Sequence, residues 1–170
     1  MLAATERGTA ASLFYVASYT FLVAGTFGAL SIIGAKGDNE YGFDVFNGLA
    51  KRRPTLAFAL LIYLLAQAGV PLTSGFFAKF EVIAAAVDAR SYWTAIVAMM
   101  AAVIGAYLYL RVLIAMFMSE PAEDAPPVVV PPTVAVVLGV SVIVTLLFGI
   151  FPGLLDGLAQ DAMAVLANGG

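Results

Sequence analysis

Four segments of the chain are each long and apolar enough to cross a lipid bilayer. A helix needs about 20 apolar residues to span a hydrocarbon core of about 30 Å. Every backbone amide in that core must find its partner within its own segment, so each segment is predicted to be helical. The predicted spans are residues 12–34, 54–87, 92–118 and 133–151. The sequence therefore predicts an all-α integral membrane protein that forms one membrane domain over residues 1–170.

The composition supports this class and excludes several functions. The chain is 62% hydrophobic and 11% charged, whereas soluble domains are about 45–50% apolar and about 25% charged. Its net charge of −3 is small and scattered, so we expect no nucleic-acid partner. Cysteine and histidine are both absent from the sequence, which removes disulfides, haem or iron–sulfur ligation and histidine-based metal sites. We therefore expect no cofactor-binding or metal-binding residues in this chain.

The distribution of basic residues predicts the orientation in the membrane. Short loops that are rich in lysine and arginine stay on the cytoplasmic side. The loop between the first two spans, residues 35–53, contains four of them, and the opposite side has Arg7 and Arg90. The basic loop is thus predicted to be cytoplasmic, with both termini outside. The tail, residues 153–170, alternates apolar and polar residues loosely at helical spacing, and it is predicted to lie along the membrane interface.

The second apolar segment is interrupted near its middle. As one straight helix its roughly 34 residues would extend about 50 Å, well beyond the hydrocarbon thickness. Pro71 has no N–H to donate, and its ring clashes with the carbonyl of Gln67. We therefore predict a discontinuous helix, broken at the sequence Gly69-Val70-Pro71. The residues expected to form and stabilise the break are Gly69, Pro71, Gly75 and the hydroxyl-bearing Thr73 and Ser74, which can satisfy freed backbone groups.

Lys79 is a charged residue inside this apolar segment. It lies nine residues before Asp88, about 14 Å along a helix, which places it near the bilayer midplane. A lysine at that depth costs at least about 2.5–3.5 kcal/mol. One interpretation is a structural lysine that pairs with a carboxylate of a neighbouring subunit. The other is a proton relay, because burial disfavours the charged form of a lysine and lets it release and regain a proton.

Three further polar residues are secondary candidates for proton transfer. Glu81 points to a nearly opposite face of the helix from Lys79, so the two cannot pair closely within it. Arg111 lies in the third span with Tyr107 one turn before it on the same face. An arginine whose side chain reaches the cytoplasmic headgroups is the simpler interpretation of Arg111, and Glu81 is equally explained by packing.

These residues resemble a known family. The stretch "RRPTLAFALLIYLLAQAGVPLTSGFFAKFEVIAAAV" is similar to the broken helix of the antiporter-like subunits of respiratory complex I, and most similar to the C-terminal part of its subunit N family. The segments "SLFYVASYTFLVAGTFGAL" and "GAYLYLRVLIAMFMSEP" resemble the helices before and after it. The most specific motif is the Gly-x-Pro break followed eight residues later by Lys79.

The resemblance implies part of an antiporter-like helical bundle in a proton-translocating NADH:quinone oxidoreductase. It implies that Lys79 is the family's lysine of the second broken helix, which exchanges protons with the outer half-channel. NADH, FMN, the iron–sulfur clusters and quinone would be bound elsewhere in the complex. The implied partners are the lipid bilayer and other membrane-arm subunits, and the implied location is the bacterial inner, or plasma, membrane.

This chain departs from the family in three respects. The resemblance covers about the last four of roughly fourteen helices, the usual "GKF" is "AKF", and Glu81 occupies a position that is more often apolar or aromatic. Two alternative functions stay open on the sequence alone. The chain could be a subunit of a related Na⁺/H⁺ antiporter or membrane-bound hydrogenase, or a non-transporting membrane scaffold.

Overall fold

The computed structural model of the protein describes residues 6–33, 43–121, 128–151 and 153. Throughout these residues the regular elements are helices. The elements are α1 (Glu6–Ile33), a short 3-10 turn (Phe43–Phe46), α2 (Leu49–Arg52), α3 (Pro54–Ala68), α4 (Ser74–Asp88), α5 (Tyr92–Met118) and α6 (Pro132–Ile150). Helix α1 begins earlier than the predicted start of the first span at residue 12.

The helices give four crossings, the second of them in two halves. The region Tyr15–Ile33 of α1 and the whole of α5 and α6 are long and apolar enough to span a bilayer. The second crossing consists of α3 and α4, of 15 residues each, separated by the predicted break. The prediction of an all-α membrane fold with a discontinuous second helix is thus confirmed. The tail after Gly153 lies outside the described residues, so the full-length single domain and the interfacial tail stay predictions.

Helix α3 is the centre of the bundle, packed against α1, α5 and α6. It is apolar on all sides, as expected of a helix enclosed by others. Close contact with α1 depends on Gly25, because a Cβ there would overlap the ring of Tyr63. The Tyr63 hydroxyl donates a hydrogen bond of 2.6 Å to the carbonyl of Leu138 in α6. The phenol therefore fills the space left by the glycine and joins α3 to α6.

The basic residues before α3 lie beside the C-terminal end of α5. The Gly48 N–H donates to the carbonyl of Ala115 at 3.1 Å, and Lys51 pairs with Glu120 at 2.5 Å. Both members of this ion pair are largely exposed. The start of the second crossing and the end of the third are therefore at the same side of the bundle, which we call the loop side. Lys36, the first basic residue of the predicted loop, lies outside the described residues.

Candidate functional site

The first half of the broken helix ends at Gly69 in a left-handed conformation. Its φ of 89° is unstrained only for a residue without a Cβ atom. The N–H of Val70 donates to the carbonyl of Leu65 and the N–H of Gly69 donates to the carbonyl of Ala66, at 3.0 Å each. This is the hydrogen-bonding pattern of a Schellman C-cap, which terminates a helix and satisfies its last carbonyls. The break therefore starts two residues before the proline, at a glycine.

The connection between the two half-helices is short and strained. Leu72 adopts a φ of 70°, which costs a residue with a branched side chain of order 1–3 kcal/mol. The Thr73 hydroxyl donates to the carbonyl of Val70 at 2.7 Å, so it satisfies a freed backbone group as expected. The same expectation for Ser74 is wrong. Its hydroxyl is buried and has no hydrogen-bond partner among the described residues.

Two glycines allow neighbouring backbones to approach the break closely. A Cβ at Gly75 would overlap the carbonyl of Ala66, so this glycine lets α4 begin against the last turn of α3. A Cβ at Gly149 of α6 would overlap the backbone of Leu72 and Thr73. Gly75 was predicted to belong to the break, whereas no local pattern indicated that α6 reaches it. Backbone of α6 therefore packs directly against the strained connection, whose side chains at residues 70–72 are exposed.

Lys79 provides the hydrogen bond that the proline removes. In a continuous helix the carbonyl of Gln67 would accept from the N–H of residue 71. Residue 71 is proline, and the amine of Lys79 donates to that carbonyl instead. The amine also lies at the C-terminal end of α3, where the helix dipole favours a positive charge. The break and the lysine therefore form one arrangement, in which α4 returns a donor to the end of α3.

The side chain of Gln67 extends this polar arrangement to the first crossing. Its amide donates to the hydroxyl of Thr26 at 2.6 Å, and that hydroxyl donates to the carbonyl of Leu22 at 2.7 Å. Both side chains are buried. Sequence reasoning identified Gln67 only through its carbonyl and did not identify Thr26. The available signal was a glutamine inside an apolar span, because buried polar groups in a membrane require partners.

Lys79 also lines a cavity between α1, α4 and α5, which we call the Lys79 cavity. Its volume is about 380 Å³, and its polar groups are the lysine amine and the phenols of Tyr15, Tyr19 and Tyr109. The rings of Tyr15 and Tyr19 stack with their centroids 4.1 Å apart. The wall formed by α5 consists of small residues, Ala98, Ala101, Ala102 and Gly105. An ionisable amine in a partly polar cavity at membrane depth is an arrangement that can exchange protons with bound water.

The three secondary candidates lie apart from the Lys79 cavity. Glu81 is half-buried on α4 and is not part of the cavity lining, and Tyr107 is 65% exposed on α5. The guanidinium of Arg111 lies 4.4 Å from the centre of the Phe43 ring, towards the loop side. This position supports the simpler interpretation of Arg111, as a side chain that extends towards the loop-side surface. Their roles in proton transfer stay predictions.

No group of acidic residues capable of holding a metal ion occurs within residues 6–33, 43–121 and 128–151. The polar groups around the break are the Lys79 amine, the Gln67 carboxamide, hydroxyls and backbone carbonyls. These groups can accept, donate and transfer protons, and hydroxyls and carbonyls can also bind small cations.

The fold and the site define a class, that of multi-pass α-helical membrane proteins with a lysine at a helix break. The family described as "NADH:quinone oxidoreductase/Mrp antiporter, TM" matches residues 1–105. Since this is more than half of the 170 residues, the chain belongs to that family.

Relatives with curated names agree with this assignment. The chain is 40% identical over 154 residues to NADH-quinone oxidoreductase subunit N 1 of Solibacter usitatus, covering 90% of this chain and 32% of the relative. It is 38% identical over 164 residues to NADH-quinone oxidoreductase subunit N of Thioalkalivibrio sulfidiphilus, covering 96% and 34% respectively. The chain thus spans about a third of the length of these relatives.

Solved structures show the same helical arrangement. A chain of respiratory complex I from Thermus thermophilus with bound aureothin superposes with a TM-score of 0.77 at 27% identity, over 89% of this chain and 35% of that one. A chain of the Mrp complex from Dietzia sp. superposes with a TM-score of 0.80 at 25% identity, over 95% and 38% respectively. The C-terminal resemblance predicted from the sequence is confirmed by these relationships.

Proposed function

We propose that this chain forms part of the membrane arm of a proton-translocating NADH:quinone oxidoreductase, in which Lys79 acts as a proton relay. The observation that carries the proposal is the position of the Lys79 amine. It donates to the Gln67 carbonyl at the helix break and also lines a cavity of about 380 Å³. The amine therefore has a fixed partner on one side and space for water on the other, as a relay group requires.

The chemistry of the relay follows from these two surroundings. As an ammonium ion, Lys79 can donate to the Gln67 carbonyl and simultaneously to a water molecule in the cavity. When it releases a proton to that water, the neutral amine can retain its hydrogen bond to the carbonyl. The helix break thus holds the nitrogen in place in both protonation states, so proton transfer does not require the helix to rearrange.

The proposed partners are other membrane-arm subunits of complex I and the lipid bilayer. Support comes from the relatives named as subunits of NADH-quinone oxidoreductase and from the similarity to a chain of complex I. We infer that NADH, FMN, the iron–sulfur clusters and quinone bind in other parts of that assembly. The bacterial relatives support a plasma-membrane location, and the basic residues of the loop side support its cytoplasmic orientation.

A subunit of a Na⁺/H⁺ antiporter is the second candidate function. The observation that favours it is the similarity to a chain of the Mrp complex, over 95% of this chain. The two candidates can be separated in sealed vesicles by measuring whether ion movement depends on NADH oxidation or on an imposed sodium gradient. Transport driven by NADH and independent of sodium supports the first candidate, and sodium-dependent proton movement without NADH supports the second.

The relay is tested by replacing Lys79 in the assembled complex. We expect two variants to lower the proton transport per NADH oxidised by roughly tenfold or more. Lys79→Ala removes the amine, and Lys79→Arg keeps the charge but does not release a proton. Lys51→Ala is the matched control, since this lysine is exposed on the loop side. Unchanged proton transport by Lys79→Ala, with normal assembly, would disprove the relay.

A further inference from the structure

A second cavity lies between the Lys79 cavity and the loop side. Its volume is about 240 Å³, and we call it the loop-side cavity. Helix α1 lines the Lys79 cavity with Tyr15 and Tyr19, and it lines the second cavity with Thr26 and Leu30, further along the same helix. Its other lining residues are Phe43, Phe46, Leu60, Leu64, Gln67, Leu108, Tyr109 and Val112. The two cavities therefore follow one another along α1 and α5.

Tyr109 separates the two cavities. Among the described residues, it is the one that lines both of them. Its ring lies over Gly105, 3.5 Å from the position that a Cβ there would occupy, so the absence of a side chain at residue 105 leaves space beside the ring. The hydrogen bond between Lys79 and Gln67 crosses the same boundary, since the lysine lines one cavity and the glutamine lines the other.

The lining of the loop-side cavity does not favour a permanent column of water between Lys79 and the loop side. Its surface is almost entirely apolar, because Thr26 and Gln67 are buried and hydrogen-bonded to each other, and Tyr109 is its third polar residue. A buried water molecule needs about two to four polar partners. Water therefore has few partners in this cavity, from Tyr109 to the loop-side surface. A path of this kind conducts when water enters it and is closed when the ring fills the boundary.

We propose that Tyr109 is the gate between the two cavities, and that rotation of its ring admits water from the loop side to Lys79. This inference rests on the proposed relay role of Lys79 and names the route by which the relay receives protons. The substrate of the route is water with its protons. Tyr109 acts through access to Lys79 and does not itself replace the amine.

The test measures access from one side of the membrane. The chain contains no cysteine, so a single Ala102→Cys substitution places one thiol in the Lys79 cavity. A membrane-impermeant cationic methanethiosulfonate reagent is added to sealed vesicles that hold the assembled complex, and the tagged chain is then isolated to quantify labelling. Lys51→Cys, which is exposed, identifies the loop side of the vesicles. The rate is compared with and without Tyr109→Leu, and Tyr107→Leu serves as a control on the same helix.

We expect Tyr109→Leu to raise the rate of loop-side labelling by about tenfold, equivalent to about 1.4 kcal/mol of barrier. Tyr107→Leu should not change it, because that ring is exposed on another face of α5. Labelling from the opposite side should be unchanged in both variants. An unchanged loop-side rate in Tyr109→Leu, an equal increase in Tyr107→Leu or an equal increase from both sides would overturn the gate.

Two features keep the result interpretable. If Tyr109→Leu does not assemble, Tyr109→Met keeps most of the side-chain volume and is held to the same expectation. The labelling rate depends on access alone, whereas the relay is tested by proton transport in Lys79→Ala. Normal transport in that variant would defeat the proposed function, while an unchanged labelling rate would defeat the gate.

Discussion

The amine of Lys79 donates to the main-chain carbonyl of Gln67, the carbonyl that Pro71 leaves without its helical donor. A helix break and a charged residue inside an apolar span are each unfavourable when considered alone. Together they satisfy one another, because the break frees an acceptor and the lysine supplies the donor. The lysine is thereby fixed at membrane depth beside a cavity in which it can meet water.

The first prediction concerns Gly69, which ends α3 at a φ of 89°. We expect Gly69→Ala to lower the free energy of unfolding by about 1–2 kcal/mol, because an L residue is disfavoured in the left-handed region. The new methyl group would also lie 3.4 Å from Cδ and 3.6 Å from Nζ of Lys79. The measurement is an SDS-unfolding titration of the purified protein, followed by circular dichroism.

Gly28→Ala is the control for this prediction. Gly28 lies inside α1, and a Cβ there would meet its nearest neighbours at an ordinary 3.8 Å. Alanine is the better helix former by up to about 1 kcal/mol, so this variant should be neutral or more stable. Equal loss of stability in both variants would contradict the role of Gly69.

The sequence predicted the break because its signals are local. A proline without an N–H group and glycines beside it interrupt a helix in almost any surroundings. Hydropathy likewise predicted the spans, since each one depends on its own run of apolar residues. The prediction that Ser74 would satisfy a backbone group was wrong, because the acceptors within reach of a hydroxyl depend on the positions of other segments and not on the local sequence.

The contacts between distant segments could not be predicted in this way. The approach of Gly149 to Leu72, and the bond between Gln67 and Thr26, depend on the relative positions of helices that local patterns do not determine. The cavities have the same origin, because each is formed by residues from at least three segments. The sequence therefore identified the break and Lys79 as candidates, and not the residues that distant segments bring to them.

The second prediction tests the approach of α6 to the break. A Cβ at Gly149 would overlap main-chain atoms of Leu72 and Thr73, which cannot move aside as a flexible side chain would. We expect Gly149→Ala to lower the free energy of unfolding by about 1–3 kcal/mol, the usual cost of overpacking. Gly139→Ala is a control in the same helix, since a Cβ there would meet nothing within 4 Å beyond the neighbouring backbone of its own helix. A difference of less than about 0.5 kcal/mol between the two variants would contradict the packing.

The third prediction concerns the hydrogen bond between Gln67 and Thr26. Thr26→Val removes the acceptor and leaves the buried amide of Gln67 unsatisfied, which we expect to cost about 1–3 kcal/mol. Gln67→Leu should cost less, because the Thr26 hydroxyl keeps its bond to the Leu22 carbonyl. The double variant should be more stable than the sum of the two losses implies.

A double-mutant cycle of unfolding free energies measures this coupling. Side-chain hydrogen bonds between membrane helices average about 0.6 kcal/mol and reach about 1.7 kcal/mol, and we expect a value in this range. Thr20→Val paired with Gln67→Leu is the control, because the Thr20 hydroxyl is exposed and bonds within its own helix. Strictly additive losses for Thr26 and Gln67 would show that the bond contributes nothing.

The last prediction compares two contacts that hold the start of the second crossing to the end of α5. The ion pair between Lys51 and Glu120 is exposed, so its screening by water and salt should limit its contribution to less than about 1 kcal/mol. Gly48 is buried with a φ of 62°, and a Cβ there would lie 2.5 Å from the ring of Pro121. We expect Gly48→Ala to cost about 2 kcal/mol or more, from left-handed strain and overpacking together.

Thermal unfolding at low and high salt distinguishes the two contacts, because the effect of Lys51→Ala should shrink with salt while that of Gly48→Ala should not. A larger loss in Lys51→Ala than in Gly48→Ala would mean that charge, and not backbone packing, holds this corner together.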